Sequence, residues 1–299
     1  MTPTDVPRRL RRRADELGLD FQQALQYYAM ERFLFRLSQT VWAGRLIVKG
    51  AAMLRVWDAA IARPTRDIDF LGRVVNTPEA VQGAVLECLA AEVPDDGLVF
   101  SQAIEAEQTM LDDRYPGVRV KIRGDLAGAR FVLRLDIGIS DAAVPDPAWV
   151  DYPVLLDGPA PRVLAYKPAT AVAEKFEAMV SLGLANSRLK DFYDLWMLAS
   201  TLTFDGEELV DALGATFTKR ATLLPTQVPV SLTPEFIDQG PTRRMWQTLR
   251  ARFATSGIEA PATLQETIDI IIIFIMPAAE AAAAGRALTQ TWKPGDGWR

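Results

Sequence analysis

The sequence contains no histidine and only one cysteine, Cys88, among its 299 residues. Without histidine there is no Ser-His-Asp triad, no histidine-ligated metal and no imidazole acid or base. A single cysteine excludes an intramolecular disulfide and a cysteine-rich zinc site, and it is consistent with a reducing compartment. Any chemistry must therefore use carboxylates, lysine, arginine, hydroxyl groups or a hard metal ion.

Long apolar segments are also missing. The apolar stretch Ile268–Met276 is interrupted by Asp269 and followed by Pro277. It is far shorter than the roughly 20 apolar residues of a membrane-spanning helix, so it predicts a buried helix or, as second choice, a buried strand. The first residues include no apolar signal-peptide segment. We therefore expect a cytoplasmic protein without membrane contact.

Positive charge is not in excess, but it is concentrated in two places. The net charge of −5 gives no reason to expect a strong overall attraction to nucleic acid. The first cluster consists of Arg8, Arg9, Arg11, Arg12 and Arg13, and the second, on a predicted helix, of Arg243, Arg244, Arg250 and Arg252. Each cluster predicts either a solvated helix face or a contact with RNA phosphates, and both alternatives stay open.

The residue pattern predicts an α/β (α+β) protein with two domains. Six prolines between residues 145 and 168 indicate a connecting segment, because proline interrupts helices. We predict an α/β domain with a small mixed sheet over residues 1–160 and a helical domain over 161–299. The predicted elements are helices over 20–39, 51–57 and 78–91, strands over 45–48, 68–71, 118–122 and 131–137, and then helices over 167–184, 189–199, 207–213, 241–254 and 263–275.

The predicted strand 68–71 carries the sharpest chemical signal. Residues i and i+2 of a strand point to the same face, so Asp67 and Asp69 would stand side by side while Ile68 enters the core. Two adjacent anions repel each other unless a cation lies between them, and Mg²⁺ (or Mn²⁺) prefers such oxygen ligands. Asp136, on strand 131–137, becomes a third ligand if that strand pairs beside the first. The alternative is a surface carboxylate pair without function.

A phosphate-binding turn is predicted upstream of the carboxylates. Val48-Lys49-Gly50 predicts a strand that ends at a glycine directly before a helix. Backbone N–H groups at a glycine turn and at a helix N-terminus together form a cradle for phosphate groups.

Four sequence blocks in this order resemble the AbiEii family of nucleotidyltransferase toxins, which implies a polymerase-β-type nucleotidyltransferase fold. The blocks are Tyr28 with Glu31–Ser38, Val48–Gly50, Arg63–Asp69, and Glu174–Ala178 followed by Arg188–Leu195. Two positions depart from the family pattern: Ala51 replaces the usual second glycine, and Thr65 stands where serine is frequent. Alanine tolerates a close backbone approach less well than glycine does.

The resemblance implies a metal-dependent enzyme that transfers the nucleoside monophosphate of an NTP to an acceptor and releases pyrophosphate. Lys175 and Asp191 match the family's catalytic lysine and aspartate, which implies that they act together with Asp67 and Asp69. A lysine beside a metal–triphosphate site can neutralise charge on the leaving pyrophosphate, and Asp191 can orient that lysine or an attacking hydroxyl. The expected nucleotide contacts come from Lys49, Gly50, Thr65, Arg66, Arg188 and Lys190.

The same resemblance implies the toxin of a toxin–antitoxin pair, with tRNA as the expected acceptor and a block of translation as the result. The helical domain would complete the active site. A hydroxyl at the position of Thr65 can be phosphorylated in this family, which would place negative charge beside the metal carboxylates and obstruct nucleotide binding.

The sequence allows three alternatives to a nucleotidyltransferase that uses Lys175 and Asp191. Lys175, Asp191 and their neighbours are also compatible with ordinary ion pairs on helix surfaces. The protein could transfer the γ-phosphate and be a kinase, or it could keep the fold without catalysis and bind an antitoxin.

Overall fold

The structure is a computed structural model that describes residues 5–57, 63–111, 115–139 and 141–299. The chain forms two compact units. The first comprises Met1–Ser140 and Ala148–Tyr166, and the second comprises Asp141–Pro147 and Lys167–Arg299. The sequence predicts a division after residue 160, whereas the first unit extends to Tyr166. The strand Arg162–Ala165 belongs to the sheet of this unit.

The first unit is a mixed α/β fold. Its helices are α1 (Val6–Leu17), α2 (Phe21–Ser38), α3 (Leu54–Trp57) and α4 (Pro78–Leu89). Its strands are β1 (Leu46–Lys49), β2 (Asp67–Gly72), β3 (Leu98–Phe100), β4 (Glu105–Leu111), β5 (Tyr115–Leu126), β6 (Ala129–Gly138), β7 (Ala148–Asp151) and β8 (Arg162–Ala165).

These strands form one mixed sheet in the order β3-β5-β6-β2-β1-β8-β7, with β4 paired to β5 beside β3. β2 pairs parallel with β6, β1 pairs parallel with β8, and β1 and β2 are antiparallel. The predicted fold class, with a mixed sheet in an α/β unit, is confirmed. The sheet also contains β3, β4, β7 and β8, which were not predicted because their sequences carry no clear apolar alternation.

One face of the sheet is apolar and the other is charged, because side chains alternate along each strand. The completely buried residues of β5 and β6 are Val118, Val120, Ile122, Leu133, Leu135 and Ile137. α2 contacts β6 and α4 contacts β5. The charged side chains of β2, β5 and β6 therefore share the opposite face.

Local sequence signals explain where the helices of this unit begin. The Thr77 side chain accepts a hydrogen bond from the N–H of Ala80, and Pro78 occupies the first position of α4. The predicted helix over 51–57 is shorter than expected: Gly50–Met53 forms a 3₁₀ turn, and only Leu54–Trp57 is α-helical.

The second unit is mainly helical. It contains α5 (Pro168–Leu182), α6 (Leu189–Thr201), α7 (Gly206–Lys219), α8 (Pro234–Ile237), α9 (Gly240–Thr255) and α10 (Leu264–Ala283). Three short strands, β9 (Phe204–Asp205), β10 (Thr291–Lys293) and β11 (Gly297–Trp298), form a separate sheet in the order β11-β10-β9.

The apolar stretch Ile268–Met276 lies within α10, which confirms the predicted helix. Pro277 lies inside the same helix, and the alanine-rich stretch continues it. In the described ranges of the chain, no helix combines the length and apolar character that crossing a bilayer requires.

Polar contacts explain why Asp141–Pro147 belongs to the second unit. The guanidinium of Arg220 donates to Asp141 over 2.9 Å, and the Thr170 hydroxyl donates to the Val144 carbonyl over 2.8 Å. The Arg220 side chain is almost fully buried, so its ion pair is strongly favoured over leaving either charge alone. These contacts fix this short segment to the helices of the second unit.

Candidate active site

Strand pairing brings the three predicted carboxylates onto neighbouring positions of the charged sheet face. Asp67 and Asp69 alternate with the fully buried Ile68 on β2. In the parallel pair of β2 and β6, Asp69 lies opposite Asp136 and Asp67 lies opposite Arg134. Asp136 therefore stands beside Asp69, which is the strand pairing on which its expected part in the site depends.

Two arginines on the same face contact these carboxylates. The guanidinium of Arg119 donates two hydrogen bonds to Asp136, of 2.8 and 2.9 Å. These hydrogen bonds raise the pKa of Arg119 above its usual value. Arg134 lies 3.5 Å from an oxygen of the half-exposed Asp67. Arg119 thus neutralises the charge of Asp136 in this arrangement. The role of Asp136 as a third metal ligand stays a prediction.

Gly50 allows the backbone to approach Asp69 closely. It follows β1, whose Lys49 lies opposite Asp69, and its φ of +68° is in the left-handed region that favours glycine. A Cβ at this position would lie 2.0 Å from Oδ2 of Asp69 and 2.9 Å from Cβ of Asp69. Any side chain at residue 50 would therefore displace the carboxylate.

Gly50→Ala should reduce nucleotide transfer about a hundredfold or more, because a catalytic group displaced by about 1 Å can lose that much. The left-handed backbone should add a stability cost of about 1–2 kcal/mol. The matched control is Gly44→Ala, since a Cβ there meets nothing within 4 Å. Transfer rates and urea unfolding of the two variants test this. Normal transfer by folded Gly50→Ala would show that the close approach has no catalytic importance.

The other predicted nucleotide contacts of the first unit surround this turn. The Nζ of Lys49 lies 5.5 Å from the centre of the Tyr166 ring, a cation–π distance. The Thr65 hydroxyl donates to the Asp67 carbonyl over 3.1 Å and accepts from the Asp67 N–H over 3.4 Å. Arg66 is exposed, and its carbonyl accepts a hydrogen bond from Gln26. Thr65 therefore supports the start of β2 in addition to any phosphate contact.

In the second unit, Lys175 is held between two carboxylates. Its Nζ on α5 donates to Asp191 and to Asp194 on α6, both over 2.7 Å. Asp194 is fully buried and Asp191 nearly so. The predicted pairing of Lys175 with Asp191 is thus present. Asp194 was missed as a partner, although its position three residues after Asp191 places it on the same face of a helix.

Arg188 completes the charge balance of this cluster. Its Nε donates to Asp191 over 2.7 Å, whereas Lys190 lies on the exposed side of the helix. Burial raises the pKa of Asp191, but the charges and hydrogen bonds of Lys175 and Arg188 outweigh it, so the pKa of this carboxyl lies well below its usual range. A carboxylate in this state is suited to orient Lys175 and poorly suited to accept a proton.

The first block of the family resemblance, around Glu31, makes buried contacts with the loop that precedes β8. Glu31 accepts the N–H of Leu155 over 2.7 Å and pairs with Arg32, which donates to the Pro159 carbonyl over 2.9 Å. Burial raises the pKa of Glu31 to about 7, although Arg32 and the Leu155 N–H oppose the shift. These contacts fix the loop before β8 against α2.

Both arginine clusters lie on helix faces with acidic neighbours. On α1, Arg8 pairs with Asp5, and Arg12 and Arg13 pair with Glu16. Arg9 pairs with Asp157, and Arg11 stacks on Phe21. On α9, Arg243 pairs with Asp238, and Arg244 and Arg252 are exposed. These contacts favour the solvated-face alternative and leave the RNA alternative as a prediction.

The carboxylates of the first unit fit a hard divalent cation. Across the residues that the structure describes, no three acidic, histidine or cysteine side chains are arranged as a complete metal cage. Mg²⁺ commonly takes one or two protein carboxylates and completes its shell with substrate phosphates and water. Asp67 and Asp69 supply such carboxylates, and the absence of a side chain at Gly50 lets the backbone lie directly against Asp69.

Comparisons with known proteins place this chain among the nucleotidyltransferases. The model of the nucleotidyl transferase AbiEii toxin family, of type IV toxin–antitoxin systems, matches residues 32–281. The chain therefore belongs to the AbiEii family of nucleotidyltransferase toxins.

A solved structure shows a similar fold, and a second one was also found as a match. The chain is 22% identical to MenT4, a nucleotidyltransferase toxin from Mycobacterium tuberculosis, over 96% of this chain and 99% of that one, with a TM-score of 0.52. It is 16% identical to JHP933 from Helicobacter pylori, over 88% and 93% of the two chains, with a TM-score of 0.44. No curated protein matches the chain.

Proposed function

We propose that this nucleotidyltransferase toxin transfers the nucleoside monophosphate of an NTP to an RNA acceptor, with tRNA as the preferred acceptor, and so blocks translation in the cytoplasm. The observation that carries the proposal is the carboxylate pair Asp67 and Asp69, packed against a glycine turn that has room for no side chain. Membership of a toxin family implies an antitoxin as its partner.

Asp67 and Asp69 would hold Mg²⁺ (or Mn²⁺), with Asp136 beside them. When bound, such an ion would supply positive charge to the phosphate oxygens of the NTP and to the attacking oxygen. Lys49, Gly50, Thr65 and Arg66 lie around the same carboxylates, and backbone N–H groups after Gly50 suit the triphosphate.

In the proposed reaction, a hydroxyl oxygen of the RNA attacks the α-phosphorus of the NTP. The bond from the α-phosphorus to the bridging oxygen of the β-phosphate breaks, and pyrophosphate leaves with the electron pair. The hydroxyl proton is released to solvent. We assign to Lys175 the neutralisation of charge on the leaving pyrophosphate, and to Asp191 and Asp194 the positioning of its ammonium.

Labelled nucleotides test this proposal against its two alternatives. The purified protein is incubated with total cell RNA, Mg²⁺ and each NTP, labelled either at the α- or at the γ-phosphate. We expect the α-label to appear in a tRNA-sized band and the γ-label to appear only in pyrophosphate. Transfer of the γ-label would instead identify a kinase, and no transfer of either label would favour a non-catalytic antitoxin-binding protein.

A further inference from the structure

The charged face of the sheet carries an ordered grid of side chains that extends away from Asp67 and Asp69. Cross-strand pairing defines its rows. One row consists of Asp69, Asp136, Arg119 and Glu107, and the next of Asp67, Arg134, Lys121 and Glu105. Arg123 and Arg130 continue the basic columns of β5 and β6 beyond these rows. We call Arg119, Lys121, Arg123, Arg130 and Arg134 the cationic face.

Ion pairs confirm that these side chains share one side of the sheet. Lys121 pairs with Glu107 over 3.2 Å, and Arg123 pairs with Glu105 over 2.6 Å. Arg130 lies opposite Asp125 in the hairpin of β5 and β6. Strand geometry spaces alternate residues of β5 by about 7 Å, so its three cations form a regular line.

The ion pairs furthest from the carboxylates are solvent-exposed and therefore weak. Arg123 and Glu105 each expose more than half of their side-chain surface, and Lys121 and Glu107 expose 36% and 57%. Exposed pairs of this kind contribute about 0–1 kcal/mol each, so a polyanion can replace the glutamates as partner. The half-exposed Val132, between Arg130 and Arg134, adds an apolar contact for a base or ribose.

We propose that the cationic face binds the phosphate backbone of the RNA acceptor and leads it to the carboxylates Asp67 and Asp69. The line of cations begins beside the carboxylates, in the same rows, and continues along β5 and β6. Glu105 and Glu107 on β4 border it and compete with the RNA for Lys121 and Arg123. This proposal concerns the acceptor surface of the proposed function and rests on it.

Three variants test the cationic face. We expect the first to weaken tRNA binding, the second to strengthen it and the third to leave it unchanged. The first, Lys121→Gln with Arg123→Gln and Arg130→Gln, removes cations that lie away from Asp67 and Asp69. The second, Glu105→Gln with Glu107→Gln, removes the competing acids. The third, Arg286→Gln with Arg299→Gln, is the control, because it removes two exposed arginines that belong neither to the cationic face nor to the two arginine clusters.

The measurement is the Kd for unfractionated tRNA over a range of salt concentrations, together with the KM values for tRNA and for NTP. We expect the first variant to bind tRNA about tenfold more weakly or worse, with a salt dependence that is less steep by about one unit for each lost phosphate contact. The second variant should bind severalfold more tightly. The control should resemble the wild type, and the KM for NTP should change in none of them.

An unchanged Kd and salt slope in the first variant would overturn the proposal, as would an equal loss in the control. Circular dichroism checks that each variant is folded, and the tighter binding of the second variant cannot result from unfolding. A different result would contradict the proposed function itself: the wild-type protein would transfer no α-label to RNA. The binding measurements could still show the expected pattern in that case.

Discussion

Asp67→Ala and Asp69→Ala should each reduce nucleotide transfer by at least about a thousandfold while the protein stays folded. Each change removes one carboxylate from a pair that we propose holds a divalent cation, and such an ion contributes several kcal/mol to the transition state. The fold should survive because both side chains lie on the charged face of β2, whereas Ile68 and Phe70 supply the core contacts. Losing one of two neighbouring anions also relieves repulsion.

Single-turnover transfer of α-labelled NTP, with folding checked by circular dichroism, measures this effect. Asp151→Ala is the matched control, because Asp151 is an exposed carboxylate on β7 that pairs with Arg162 over 3.7 Å. It should transfer nucleotide at the wild-type rate. Wild-type transfer by a folded Asp67→Ala protein would contradict the assignment of the carboxylate pair.

The second large effect concerns Lys175 and Asp191. Each single change to alanine should cost about 3–4 kcal/mol of transition-state stabilisation, the usual size for a preorganised electrostatic partner. Since residues that act as one unit are strongly non-additive, the double variant should be only slightly worse than the worse single variant. Lys175→Arg should not restore activity, because a planar guanidinium cannot occupy the site of a compact ammonium between Asp191 and Asp194.

Folding requires special attention in these variants. Loss of Lys175 leaves Asp194 and Asp191 buried without their shared cation, which can destabilise a protein by about 3–5 kcal/mol. Unfolding curves therefore accompany the single-turnover rates, and Asp191→Asn provides a milder change. The control is Lys167→Ala, which breaks the half-exposed pair of Lys167 and Glu208 at the start of α5 and should leave transfer unchanged. Independent, multiplicative losses would show that Lys175 and Asp191 do not act together.

The elements that carry the first carboxylates could be predicted because their periodicity is strong. β2, β5 and β6 alternate apolar and polar residues, and the pairing of β6 beside β2 then placed Asp136 next to Asp69. The strands at the sheet margins were missed. β4, for example, has the sequence Glu105–Leu111 with little apolar alternation, and only its pairing with β5 makes it a strand.

Side-chain partners were harder to predict than side-chain positions. The contact of Arg119 with Asp136 depends on the register between β5 and β6, which alternation alone does not determine. The two hydrogen bonds that Lys175 donates to Asp191 and Asp194 depend on the angle and position at which α5 and α6 pack. The importance of Gly50 as a position next to Asp69 likewise follows from the antiparallel register of β1 and β2.

The crowding at Gly50 has a genetic consequence. A cell that produces an unneutralised toxin survives by acquiring mutations that inactivate it, and most such mutations in any protein act by unfolding it. Every missense change of a glycine codon introduces a Cβ, and at residue 50 this atom would collide with Asp69. Selection for survivors should therefore recover full-length, soluble toxin with many different amino acids at position 50, but few substitutions of the neighbouring Ala51 by glycine.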